Sequence, residues 1–150
     1  MTEPTIRLFN SKDRAGCLAI FDQNVPTYFG ETERADYCAF LDDLTCLYFV
    51  MELNGEIIGC GGYGTNDDTS NVGVFCWGMI APMHHQKGYG KLLAKMRLNA
   101  MREDDTMASV VVNTSQRTAK FFEKLGFETK SITKDGFAEG LDNVEMQLIF

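Results

Sequence analysis

Gly88 and Gly90, with Lys87 and Lys91 beside them, are the residues of this chain whose types and spacing best suit a chemical task, that of holding phosphate. They follow an apolar run that breaks at Pro82, and they open a helical pattern, so Val74–Leu93 reads as strand, turn and helix. The first amides of a helix have no partner within it, and that end carries partial positive charge. Glycines there let a bulky anion approach the main chain without meeting a Cβ, and the two lysines add full charges. Two familiar phosphate motifs fail on spacing. A P-loop needs Gly five residues before its Gly-Lys pair and Ser or Thr after it, but His85 and Leu92 stand there. A dinucleotide fingerprint needs a third Gly three residues after the second, and that position is Leu93.

Other reactive side chains are less suggestive. The adjacent His84 and His85 have no further ligands at metal-binding spacing, so no metal is expected. The 5 cysteines, Cys17, Cys38, Cys46, Cys60 and Cys76, are scattered without a C-x-x-C pair. Buried thiols in a reducing cytoplasm are the plain reading. Net charge is -7, from 21 acidic and 14 basic residues, which disfavours a nucleic-acid partner and suits a cationic or amine-bearing one. At 150 residues and 45% hydrophobic content, a single soluble domain over residues 1–150 is expected. No apolar stretch is long enough to span a bilayer, and MTEPTIRLFN lacks the pattern of a signal peptide. Nothing in the sequence separates a monomer from a homodimer.

The elements that must position the glycine turn follow from periodicity. Thr5–Phe9 alternates as a first strand, and Ser11 is placed to cap a helix carrying Ala15, Leu18, Ile20 and Phe21. That helix stops before Val25-Pro26, and a second helical pattern covers Glu31–Leu41. Cys46–Leu53 and Glu56–Tyr63 flank Asn54-Gly55, a strong hairpin signal. Gly59, Gly61 and Gly62 thin the second of these strands, which marks a bulge or the close approach of another group. Thr65–Ser70 reads as a polar loop and Val72–Ala81 as a strand with Trp77 packed mid-way. The helix after Gly88 is expected to bury Tyr89, Leu93, Met96 and Ala100. Ala108–Val112 reads as a buried strand, and Ser115 opens a last helix with Ala119, Phe122 and Leu125 inward and Gly126 as its C-terminal cap. Phe127–Thr133 and Val144–Phe150 complete the pattern as strands around a loop, Lys134–Asn143.

The segment Ile80-Ala81-Pro82 followed by His85-Gln86-Lys87-Gly88-Tyr89-Gly90 resembles the pyrophosphate-binding motif of the GNAT superfamily, the acetyl-CoA-dependent N-acetyltransferases. His85 departs from the usual Arg or Gln, a residue that in the family contributes largely through its backbone amide. A second segment, Ala119-Lys120-Phe121-Phe122-Glu123-Lys124-Leu125-Gly126-Phe127, is similar to the family's Ala-x-x-Phe-Tyr-x-Lys-x-Gly-Phe. The element order β-α-α-β-β-β-α-β-α-β-β is the family's as well. The resemblance implies a mixed α+β fold, a mostly antiparallel central sheet splayed between its fourth and fifth strands and flanked by about four helices.

It also implies the chemistry. Acetyl-CoA would be the co-substrate, held by Met79, Ile80, His85, Gln86, Lys87, Gly88, Tyr89, Gly90 and Lys91, with Ser115 and Phe122 from the far arm of the splay. The backbone of Met79 and Ile80 would meet the pantetheine arm and the thioester oxygen. Phe122 stands where the family usually has the Tyr that protonates the departing thiolate, and Ser115 is the substitute donor, though capping explains it equally. Asp22, Asn24, Tyr28, Phe29 and Asp135 would border the site of a small-molecule or peptide amine, with Glu139 and Asp142 nearby. The two aromatics are equally readable as core, and any of the acids as a solvated loop residue. His84 is of a residue type that can serve as a base but sits in the turn. The same fold would also serve an acyl-CoA sensor without turnover, or a transferase of longer acyl chains.

Overall fold

The computed structural model describes residues 3–66 and 69–150. In chain order the elements are β1 (Thr5–Leu8), α1 (Arg14–Gln23), α2 (Arg34–Asp42), β2 (Leu47–Leu53), β3 (Glu56–Asn66), β4 (Thr69–Ile80), α3 (Tyr89–Arg102), β5 (Ser109–Thr114), α4 (Ala119–Lys124), β6 (Glu128–Ala138) and β7 (Leu141–Ile149). One sheet holds the strands in the order β1-β2-β3-β4-β5-β7-β6. Neighbours are antiparallel except β4 and β5, which run parallel.

Local chemistry explains most boundaries. Asn54 and Gly55 both have positive φ, 53° and 81°, as the two-residue turn between β2 and β3 requires. At the end of α4, Gly126 (φ 103°) lets the Phe127 and Gly126 amides reach the carbonyls of Phe122 and Glu123, the Schellman arrangement. Asn10, not Ser11, caps the start of the first helical segment, because its side chain accepts from the Lys12 amide while Asp13 reaches back to the Asn10 amide. Ser115 does not cap α4 either. Its Oγ accepts from the Arg117 amide in a turn that precedes the helix, and Thr118 occupies the cap position.

Three expectations are corrected by the sheet. Of the polar loop expected at 65–70, Thr65 and Asn66 extend β3 and Thr69 and Ser70 begin β4, while residues 67–68 lie outside the described residues. The loop expected at Lys134–Asn143 is mostly strand, since β6 and β7 pair as far as Ala138 and Leu141 through a register shift after Thr133. Finally, α3 buries Leu93, Ala94, Arg97, Leu98 and Met101, with Tyr89, Met96 and Ala100 only half-buried at the margin. The face turned to the sheet thus includes a charged residue, which a hydrophobic stripe drawn from apolar residues alone must miss.

Helices α1 and α2 cover one face of the sheet and α3 and α4 the other. Phe21, Tyr37, Tyr48, Cys60 and Met79 are core on the first face; Phe75, Ala94, Leu98, Met101, Val110 and Phe127 are core on the second. β4 belongs to both through a bulge. Between Gly62↔Cys76 and Cys60↔Met79, Trp77 and Gly78 oppose Gly61 alone, and Trp77 takes a φ of 42°. The extra residue changes the parity of the strand. Phe75 faces α3 and α4, yet Trp77 and Met79, also odd-numbered, face α1 and α2. The bulge is held from beneath: Tyr48 Oη donates to the Trp77 carbonyl at 2.7 Å, and Tyr37 and Tyr48 share a 2.8 Å hydrogen bond.

Candidate functional site

β4 and β5 pair only over Val72–Val74 and Ser109–Val111. β4 then runs on to Ile80 and β5 to Thr114 with no pairing between them, so the sheet opens as a wedge just where β4 bulges. The Ala81 amide donates to the Ile58 carbonyl of β3 at 2.8 Å. Backbone groups of a regular strand point alternately to its two edges, so beyond the bulge Met79 presents its own to β3 and Ile80 presents its own to the wedge. The Met79 oxygen accordingly lies 3.2 Å from where a Cβ on Gly59 would sit. Gly78 lies exposed in the bulge itself, where the alternation is broken.

The wedge leads to the glycine turn. His84 and His85 donate their amides to Ala81 and Pro82, and the next engaged amide is that of Leu92, bonded to Gly88. Every amide from Gln86 through Lys91 lacks a protein acceptor among the described residues. Gln86 (φ 61°) and Gly88 (φ 84°) are both left-handed on either side of Lys87, and such alternation turns successive N–H groups into an anion-binding concavity. A Cβ on Gly88 would meet nothing within 4 Å, and one on Gly90 would rest 3.6 Å from the Phe121 ring of α4. Gln86, Lys87 and Lys91 are exposed around this rim, and Tyr89 packs inward.

His85 does something other than offer its amide. That amide closes the Pro82 turn, and the ring folds back so that Nε2 donates to the Ile80 carbonyl at 2.7 Å. Asn24 Nδ2 donates to the same oxygen at 3.1 Å and to Ile20 at 2.9 Å. Asn24 is 3% exposed, so this expected acceptor-site residue is a clamp between α1 and the end of β4. Tyr28 sets its ring edge-on to His85 at 5.3 Å. Phe29 packs on Phe21 and Trp77, which favours its reading as core. His84 lines a cleft of about 300 Å³ with α1 and the start of β3, on the far side of β4 from the wedge.

The expected acidic residues are not gathered. Asp22 pairs with Arg34 at 2.8 Å on the surface. Asp135 accepts from the Gly140 amide and Asp142 from the Asp135 amide, which secures the β6–β7 turn. Gln116, unremarked in the sequence, clasps that turn by bonding Gly140 and Asp142. The connection between α1 and α2 closes against β6, where a Cβ on Gly30 would lie 2.6 Å from that of Ala138. Glu33 holds the Gly30 amide at 2.7 Å, and burial raises its pKa.

On the other arm Ser115 is 3% exposed. Phe122 lies in an aromatic group with Phe75, Phe121 and Phe127. Thr114 and Thr118 share a hydrogen bond through their hydroxyls. Among the described residues no three His, Cys, Asp or Glu side chains cluster as metal ligands. Among the same residues no helix is long and apolar enough to cross a membrane.

The family model described as Acetyltransferase (GNAT) matches residues 16–127. The chain belongs to the GNAT family. Solved structures agree in fold across the whole chain. A GNAT-family protein from Desulfovibrio desulfuricans superposes with a TM-score of 0.83 at 17% identity, over 98% of this chain and 99% of that one. YncA from Salmonella typhimurium, solved with its cofactor acetyl-CoA, gives 0.75 at 20% identity over 98% and 94%. The ribosomal-protein-S18-alanine N-acetyltransferase of Escherichia coli gives 0.77 at 16% over 98% and 94%. A comparison with curated proteins finds no match. As a GNAT acetyltransferase the chain is an acyltransferase, and the free amides from Gln86 to Gly90 lie in the first of the two sequence segments that carried the resemblance.

Proposed function

We propose that this GNAT protein transfers an acetyl group from acetyl-CoA directly to a primary amine of a small-molecule or peptide acceptor. One observation carries the reading: the row of unpartnered amides at Gln86–Lys91 is continuous with the unpaired edge of β4. Acetyl-CoA supplies an acetyl group already activated as a thioester. The Gln86–Lys91 amides suit its diphosphate, with Lys87 and Lys91 adding charge at the rim. The Ile80 amide faces the wedge, and we take the amide of Gly78, on the exposed bulge, as the natural donor to the thioester oxygen. Loss of one such preorganised donor typically costs ~3 kcal/mol of barrier lowering. The Ile80 carbonyl is already saturated by Asn24 and His85, so Ile80 contributes its N–H alone.

Phe122 has no proton to give to a thiolate. Ser115 does, since its Oγ accepts from Arg117 and leaves its own hydrogen free. General acid assistance is worth only ~100- to 10,000-fold, so its weakness slows transfer without abolishing it. The amine enters past Tyr28 and the Gly30 connection, opposite the α3 face. Five free thiols fit a reducing cytoplasm.

The test is thiol release from acetyl-CoA across polyamines, aminoglycosides, amino acids and peptide N-termini. Acceleration by at least one amine is expected; none from any of them counts against transfer. Phe122 favours one other reading, an acyl-CoA sensor, whose signature is tight acetyl-CoA binding with no transfer, unchanged in Phe122→Tyr.

A further inference from the structure

Arg97 is 4% exposed on the face of α3 turned to the sheet. The ion pairs among the described residues belong to Arg7, Arg14 and Arg34, none to Arg97. Among the described residues its guanidinium donates only to main-chain oxygens, Nε to Leu93 at 3.4 Å and Nη1 to Gly62 at 3.3 Å, and its carbon lies 3.9 Å from the Phe75 ring centroid. Both hydrogen bonds are long, and five N–H groups share two acceptors. Burial pulls its pKa down to about 10, which still leaves it charged at neutral pH. A buried charge without a counter-ion is costly, and the fold makes deliberate room for this one. A Cβ on Gly61 would lie 3.2 Å from Nη1, and one on Gly78 would lie 3.2 Å from Nη2. Gly61 is one of the strand glycines that the sequence flagged as a close approach.

The charge therefore rests against Gly78, which is exposed in the bulge where β4 parts from β5. Phe75, on which the guanidinium stacks, in turn meets Phe122, the ring that stands in place of a proton donor. We infer that Arg97 is a positioning residue for transfer, which holds the β4 bulge and directs positive charge toward the thioester oxygen bound at Gly78. This rests on the acetyl-CoA reading above. A fixed charge in a dry site stabilises negative charge developing on oxygen and sulfur with no proton moved, which suits a site whose phenol is missing.

Isotope-edited infrared spectra of bound carbonyl-labelled acetyl-CoA, with Kd from calorimetry, test this on wild type, Arg97→Met and Arg97→Lys. Methionine fills similar space without charge. Arg97→Met is expected to keep acetyl-CoA affinity while the carbonyl band moves to higher frequency, and Arg97→Lys to restore most of the lower value. Should Arg97→Met fail to fold, the neutral Arg97→Gln carries the same comparison. A carbonyl band at the same frequency in wild type and in a folded neutral variant overturns the inference and leaves Arg97 a structural strut. Failure of the wild type to bind acetyl-CoA overturns the acetyl-CoA reading itself, and this inference with it.

Discussion

Gly88→Glu puts a carboxylate on the rim of the amide row, and its cost separates into two parts that can be measured apart. The residue sits at φ 84° and ψ 2°, and a Cβ there meets nothing within 4 Å. The structural penalty is thus left-handed backbone strain alone, about 1–2 kcal/mol, small against the ~5–15 kcal/mol that holds a domain together. The electrostatic penalty falls on binding. A carboxylate about 5 Å from one phosphate charge, at an effective dielectric near 20, opposes it by about 3 kcal/mol, or roughly a hundredfold in Kd. Salt softens this within a Debye length of about 8 Å. Gly88→Ala carries the same strain without the charge, so it should melt lower yet bind CoA within about threefold of wild type. Calorimetric titration with CoA, paired with thermal unfolding of all three proteins, reads both parts. A folded Gly88→Glu variant with unchanged CoA affinity would falsify the assignment of the cradle.

Two further outcomes test the framework around it. Asn24→Ala removes the donors to Ile20 and Ile80 and should lower stability by about 1–3 kcal/mol in urea titration; an unchanged midpoint would show that Asn24 is no clamp. Asp13 accepts from both Arg7 Nη groups at 2.8 and 2.9 Å, and the Arg7 hydrogen bonds hold its carboxyl below the ordinary 3.8. A depressed carboxyl contributes stability that is fully present above its unfolded pKa and is lost as pH falls through the lower folded one. Asp13→Asn should therefore melt below wild type at pH 7, with the gap closing as pH drops below about 4; a gap independent of pH would refute the ion pair as its source.

The sequence by itself determined what depends on a few adjacent residues. Asn54-Gly55 had to be a tight turn and Gly126 a helix end, because only such residues take those dihedrals cheaply. Gly88 and Gly90 had to open a helix whose first amides lack internal partners, whatever the rest of the chain does. The element order and both family segments were legible for the same reason. Tertiary structure alone decided which groups stay free. No local pattern says that Asn24 and His85 converge on the Ile80 carbonyl, or that the His85 amide is consumed by Pro82. Nor does periodicity reveal that one extra residue at Trp77 exchanges the faces of β4. Nothing in the helical pattern singles out Arg97, which packing alone places under that bulge. Backbone dihedral preferences are set by nearest neighbours, whereas the partner of a carbonyl and the solvation of a charge are set by whatever the closed chain brings within a few ångströms.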